Sequence, residues 1–194
     1  MEQLKEKLLS SFIVFENELN GQADTPIHEI RREALKTFEE LGFPTKRHEE
    51  WKYTNLKPIL KHDFKIFPKT EKALEFKDVK RYFLNEVDTY KIVFVNGVYS
   101  SWLSETTHTN YDVCTFSAAT KKYTEVLEKH FSSIAPKDEA MVALNTAFAK
   151  DGAFIRIPKN QTVNKPIEVV YLTTDEGREL MIQPRNLVVA EEGS

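Results

Sequence analysis

Residues 41–56 read LGFPTKRHEEWKYTNL, and the fold of the first half of the chain turns on them. Gly42 suits the left-handed conformation that closes a helix, and Pro44 cannot continue one. A helix therefore ends near Leu41. Thr45 then offers an N-cap oxygen, Glu49 and Glu50 suit the positive end of a following helix, and Trp51, Tyr53 and Leu56 supply apolar surface. The pattern predicts a short second helix pinned by its aromatic residues.

Toward the N-terminus, Leu4, Leu8, Phe12, Phe15 and Leu19 recur at spacings of three and four, which predicts an amphipathic helix from Met1 to Leu19. Asn20 to Asp24 break it. A second helix starts around Thr25, with Pro26 at its first position. Its stripe is Ile27, Ile30, Ala34, Phe38 and Leu41, while Glu29, Arg32, Glu33, Lys36 and Glu40 are expected to face water. Two such stripes can bury each other.

Toward the C-terminus the elements shorten. A short helix is expected near Lys77 to Leu84, and Tyr90 to Trp102 reads as a hairpin turning at Asn96-Gly97, a pair suited to a type I′ turn. Val113 to Phe116 reads as a strand. Helices are expected at Ala118 to Phe131, using Val126, Leu127, His130 and Phe131, and at Asp138 to Lys150, using Ala140, Leu144, Ala147 and Phe148. From Ala153 the period changes to short β runs at 153–157, 167–172, 180–183 and 187–190, punctuated by prolines at 158, 166 and 184. That pattern fits a sandwich, a barrel or a solenoid, and periodicity does not choose among them.

The 194 residues suffice for one good core or two small ones, and 41% hydrophobic with 29% charged residues is globular composition. A formal charge of −3 and a pI near 6.0 supply no basic field, so nucleic acid is not an expected partner. Neither is a membrane, because no run approaches the roughly 20 apolar residues of a span. The single Cys114 excludes an intrachain disulfide and fits a reducing compartment, so a cytoplasmic location is expected.

Few residues are arranged for catalysis. An iron–sulfur site normally draws on about four thiolates, and Cys114, inside a strand, reads as an inert thiol. His28, His48, His62, His108 and His130 show no zinc spacing. His48-Glu49-Glu50 reads as solvated cap residues, and Glu191-Glu192 as surface residues. There is no phosphate-binding loop and no nucleophile elbow. Trp51, Tyr53, Tyr99 and Trp102 read as core or interface anchors rather than a base-stacking platform.

Arg31, Arg32, Ala34 and Phe38, followed by residues 41–56, form an ordered set rich in uncommon residues. With Asp151-Gly-Ala-Phe-Ile-Arg-Ile-Pro158, Lys165-Pro-Ile167 and residues 184–194, the chain resembles the SufB/SufD family of iron–sulfur cluster assembly proteins. The GFPTKRHEEWKYTNL segment is more similar to SufD than to SufB.

The resemblance implies an α+β fold, with an N-terminal helical domain carrying a β-hairpin over 1–150 and the first coils of a right-handed β-helix over 151–194. Family members continue further, so the chain is expected to be an N-terminal portion whose last coil frays, packs on a neighbour or self-associates as a homodimer. The implied function is a non-catalytic scaffold of the SUF system with SufB and SufC as partners. No cofactor is expected in this portion, the iron–sulfur cluster belonging to the full complex. The motif residues, structural or interfacial, are Arg31, Phe38, Gly42, Phe43, Pro44, Glu49, Trp51, Lys52, Tyr53, Leu56, Gly152, Pro158 and Pro166. The rival readings are an interaction module with an open β-edge and a β-helix enzyme acting on polysaccharides.

Overall fold

The computed structural model describes residues 2–19, 25–67, 74–106, 110–174 and 179–194. The expected break at 20–24 and His108 lie outside these residues. The chain divides into a helical unit (Met1–Ile66, Thr124–Ala149 and Gly177–Gln183) and a sheet unit (Phe67–Tyr123, Lys150–Glu176 and Pro184–Ser194).

In the helical unit, α1 (Glu2–Glu18) buries Leu4, Leu8, Phe12 and Phe15, the periodic stripe. Helix α2 (Pro26–Leu41) starts at Thr25, whose hydroxyl accepts from the His28 amide, and buries Ile27, His28, Arg31 and Phe38. It stops at Gly42 (φ 65°), whose N–H donates to the Phe38 carbonyl at 2.7 Å. The turn folds Phe43 back edge-on against Phe38, with ring centroids 5.1 Å apart. Phe43 thus takes the core position expected for Leu41, which is 48% exposed.

Among the described residues this unit also contains the α-helices α5 (Thr124–His130) and α6 (Ala140–Phe148). Glu139 caps α6 by accepting from the Val142 amide at 2.7 Å. The buried face of α6 carries Ala140, Ala143 and Ala147, small enough for the helix to lie close along α2. At its end Phe148 meets Phe12 edge-on at 5.8 Å.

Among the described residues the sheet unit holds two three-stranded sheets. In the first, β1 (Tyr90–Val95) is flanked by β2 (Val98–Tyr99), antiparallel, and β5 (Ile167–Leu172), parallel. Asn96 (φ 51°) and Gly97 (φ 79°) both take the positive φ that a type I′ turn demands. In the second, β4 (Ala153–Ile157) lies between β3 (Asp112–Thr115), antiparallel, and β6 (Leu187–Ala190), parallel. Alternation divides β1 between two cores. Ile92 and Phe94 pack with Tyr111, Ala153 and Ile155. Val93 and Val95 pack with Leu103, Phe83 and Val79, the last from α3 (Phe76–Val79).

Several expectations change. Phe116 opens helix α4 (Phe116–Lys122) instead of ending a strand, because Thr115 caps the helix by accepting from the Ala118 amide at 3.0 Å. The single helix expected over 118–131 is interrupted at Tyr123, whose ring is held 4.9 Å from that of Phe154 on β4. The expected strand at 180–183 is reduced to a bridge between Leu180 and Lys65. The architecture is a mixture of helices and small sheets, and no closed β-helix coil is present among the described residues.

Candidate functional site

The segment after α2 does not form the expected second helix. Glu49–Trp51 makes one 3-10 turn, and Thr45 does not cap it. Thr45 instead organises its own turn: its hydroxyl accepts from the Arg47 amide at 3.3 Å, its N–H donates to His48 Nδ1 at 3.0 Å, and its carbonyl accepts from the His48 amide at 3.0 Å. A segment closed by Pro58 is too short to offset helix nucleation, and local bonds win.

The aromatic residues do not pin this segment to the core. Tyr53 is 89% exposed, with the Lys52 ammonium 5.1 Å from its ring centre, and Lys52 also pairs with Glu49. Trp51 and Leu56 are half-buried; Phe43 and Pro44 are buried and supply the anchor. Pro44, Thr45, Lys46, Arg47, Asn55, Leu56 and Lys57 line a concavity of about 510 Å³. Lys46, Arg47 and Lys57 are exposed, and among the described residues none forms an ion pair.

The other N-terminal motif residues belong to a polar group within the helical unit. Glu16 Oε1 accepts from His28 Nε2 and from Arg32 Nε, both at 2.8 Å, and Arg32 also pairs with Glu29. Arg32, expected in water, is thereby half-buried. Arg31 is 2% exposed, lies 5.5 Å from the Phe15 ring centre, and donates from Nη2 to the Ala149 carbonyl at 2.9 Å. That carbonyl is at the negative end of α6, where a cation is favoured. Burial pulls the Arg31 pKa down to about 10, which leaves it charged at neutral pH. The sequence held a signal for this burial: Arg31 follows Ile27 by four residues and precedes Phe38 by seven, placing it on the buried face.

His28 makes this unit sensitive to acid. Its ring is fully buried, stacked on Phe12 at 5.6 Å, and Nδ1 has no hydrogen-bond partner. Donation from Nε2 to the Glu16 carboxylate leaves Nδ1 as the site of any further proton, in an apolar setting. Burial accordingly lowers the His28 pKa, although the bond to Glu16 opposes it; the same bond lowers the pKa of Glu16. Both native values lie below their unfolded values, so the stabilisation is full above the unfolded histidine value of about 6.5 and is lost as pH falls through the folded values. Stability should fall from pH 7.5 to pH 5.5 with a His28 slope below about 1.4 kcal/mol per pH unit. Urea unfolding should show a flatter profile for His28→Gln; an unchanged slope would remove His28 from the account.

The second group of motif residues lies in the sheet unit. The Gly152 carbonyl accepts from the Phe116 amide at 2.7 Å, and the Pro166 carbonyl accepts from the Tyr90 amide at 2.9 Å, extending the β1–β5 ladder. The Pro158 carbonyl closes a turn with the Gln161 amide at 3.0 Å. Cys114 is half-buried opposite Phe154, and burial pushes its thiol up to about 11, so it is protonated at neutral pH. Glu191 is bound by Arg156 at 2.6 Å and Glu192 by Lys159 at 2.5 Å, rather than forming a carboxylate pair.

Residues 2–169 match the family model described as the SufBD protein N-terminal region. The chain belongs to the SufBD family. An iron–sulfur cluster assembly SufBD family protein of Synechocystis is 29% identical over 175 residues, covering 89% of this chain and 38% of the relative. One from Staphylococcus aureus is 25% identical over 174 residues, covering 89% and 30%. A third, from Arabidopsis thaliana and named as chloroplastic, is 32% identical over 128 residues, covering 62% and 23%. The chain therefore spans well under half the length of these SufBD relatives. Both the 41–56 segment and the 151–158 segment fall inside the SufBD match. No helix among the described residues is long and apolar enough to cross a membrane.

Proposed function

We propose that this chain is a non-catalytic scaffold portion of the SUF iron–sulfur cluster assembly machinery, SufD-like, and that it works with SufB and SufC in the cytoplasm. The observation that carries this reading is the SufBD match over residues 2–169, supported by relatives named as iron–sulfur cluster assembly proteins. The cluster is the cargo of the complex, built or received where the SufD-like subunit meets SufB, and nucleotide hydrolysis belongs to SufC. The helical unit positions partners. From near residue 150 the chain enters a right-handed β-helix; the parallel return of β6 beside β4, with Phe154 opposite Leu187, is the kind of pairing such a coil repeats.

The test is co-expression of SufB and SufC with a full-length SufBD-family protein containing this region, intact or lacking residues 1–150. Complex size and iron and sulfide content should both fall in the deletion. If complex formation and cluster delivery survive it unchanged, the positioning role is wrong. The isolated chain should show no ATP hydrolysis above buffer.

A further inference from the structure

We infer that the concavity lined by Pro44, Lys46, Arg47, Asn55, Leu56 and Lys57 is a docking surface for an acidic polypeptide segment of an assembly partner; this rests on the scaffold reading above. Three features select that occupant.

The first is charge. Lys46, Arg47 and Lys57 converge on one depression of about 510 Å³, and none is committed to an ion pair among the described residues. Lys52, in the same segment, is by contrast tied to Glu49. In a chain with a formal charge of −3 this is a local excess of uncommitted positive charge. It complements carboxylates that arrive from outside, and such complementarity steers and orients association.

The second is the apolar floor. Pro44 is buried and Leu56 half-buried within the lining, so an apolar side chain has a place between the cations.

The third is the state of the backbone. The amides of Arg47, His48 and Lys57 are already donated, to Thr45 Oγ1, to the Thr45 carbonyl and to Asn55 Oδ1 at 3.2 Å. These amides are not available for a nest around phosphate. The bonds also hold the segment in shape before a partner arrives, which lowers the ordering cost of binding.

The probe is a fluorescein-labelled peptide alternating glutamate and leucine, titrated by anisotropy into the 194-residue chain and into its K46E/R47E/K57E variant. All three side chains are exposed, so the thermal unfolding midpoint should stay at the wild-type value. Affinity should fall at least about tenfold in the variant and weaken with salt. Equal binding by variant and wild type overturns the proposal, as does equal binding of a peptide with glutamine in place of glutamate. Complete displacement by millimolar inorganic phosphate, or stronger binding of a single-stranded oligonucleotide, also overturns it.

Capture of SufB and SufC by a full-length SufBD-family protein containing this region, with and without the same three substitutions, separates this inference from the scaffold reading. A parallel loss of capture in the variant supports both. Selective peptide binding with no partner captured by wild type supports the peptide site and defeats the scaffold reading.

Discussion

Gly152→Ala should destabilise the sheet unit by about 4 kcal/mol, and Gly152→Val should prevent it from folding. A Cβ at this position would lie 2.0 Å from the Arg185 carbonyl oxygen, 2.6 Å from its carbon and 2.9 Å from the Arg185 nitrogen. All three atoms are backbone, so no side chain can rotate out of the way. The strands are held in place on both sides of the clash. The Arg185 amide donates to the Asp151 carbonyl at 3.1 Å, the Ala153 amide to Asn186 Oδ1 at 2.8 Å, and Tyr171 Oη to the same Asn186 oxygen at 2.5 Å. Relief requires β6 to leave β4. Gly42→Ala is the control, because Gly42 has φ 65° and ψ −168°, a backbone region that essentially only glycine occupies, but nothing within 4 Å of a built Cβ; it should cost about 2 kcal/mol, from backbone strain alone. Urea midpoints of the two variants decide the matter. If Gly152→Ala unfolds within 1 kcal/mol of wild type, the close approach of these strands is wrong.

The same junction shows how far the sequence could be read. The bounds of β4, β5 and β6 follow from β-branched runs set between prolines, and the hairpin at Asn96-Gly97 follows from turn chemistry alone. Partner choice does not. Alternation places Ile92 and Phe94 on one face of β1, but nothing local says that β1 pairs in parallel with β5, more than seventy residues on, with Tyr90 opposite Ile167. In the helical unit the long apolar stripes were legible because burial follows residue type. His28 and Arg31 break that link, being polar residues whose burial depends on Glu16 and on the end of α6. Tyr53 breaks it in the other direction, a large aromatic residue left in water. The concavity was hidden for a spatial reason: Lys57 meets Lys46 and Arg47 only because the intervening residues turn back instead of running on as a helix.

Arg31 provides the second large effect, and a volume series separates packing from charge. Arg31→Ala should cost about 3 kcal/mol, because it opens a cavity in the helical core and removes the donor to the Ala149 carbonyl. Arg31→Met should cost about 1 kcal/mol. The thioether fills most of the space over Phe15, and the desolvation that pulls the arginine pKa down to about 10 disappears with the charge. Arg31→Lys should fall between them: the ammonium keeps a charge to desolvate but lacks the planar fork that both faces the Phe15 ring and reaches the helix end. Urea midpoints in the order wild type, Met, Lys, Ala would assign most of the effect to packing. If Met is as costly as Ala while Lys stays near wild type, the positive charge at the end of α6 carries the stability, and Arg31 is an electrostatic clamp on that helix.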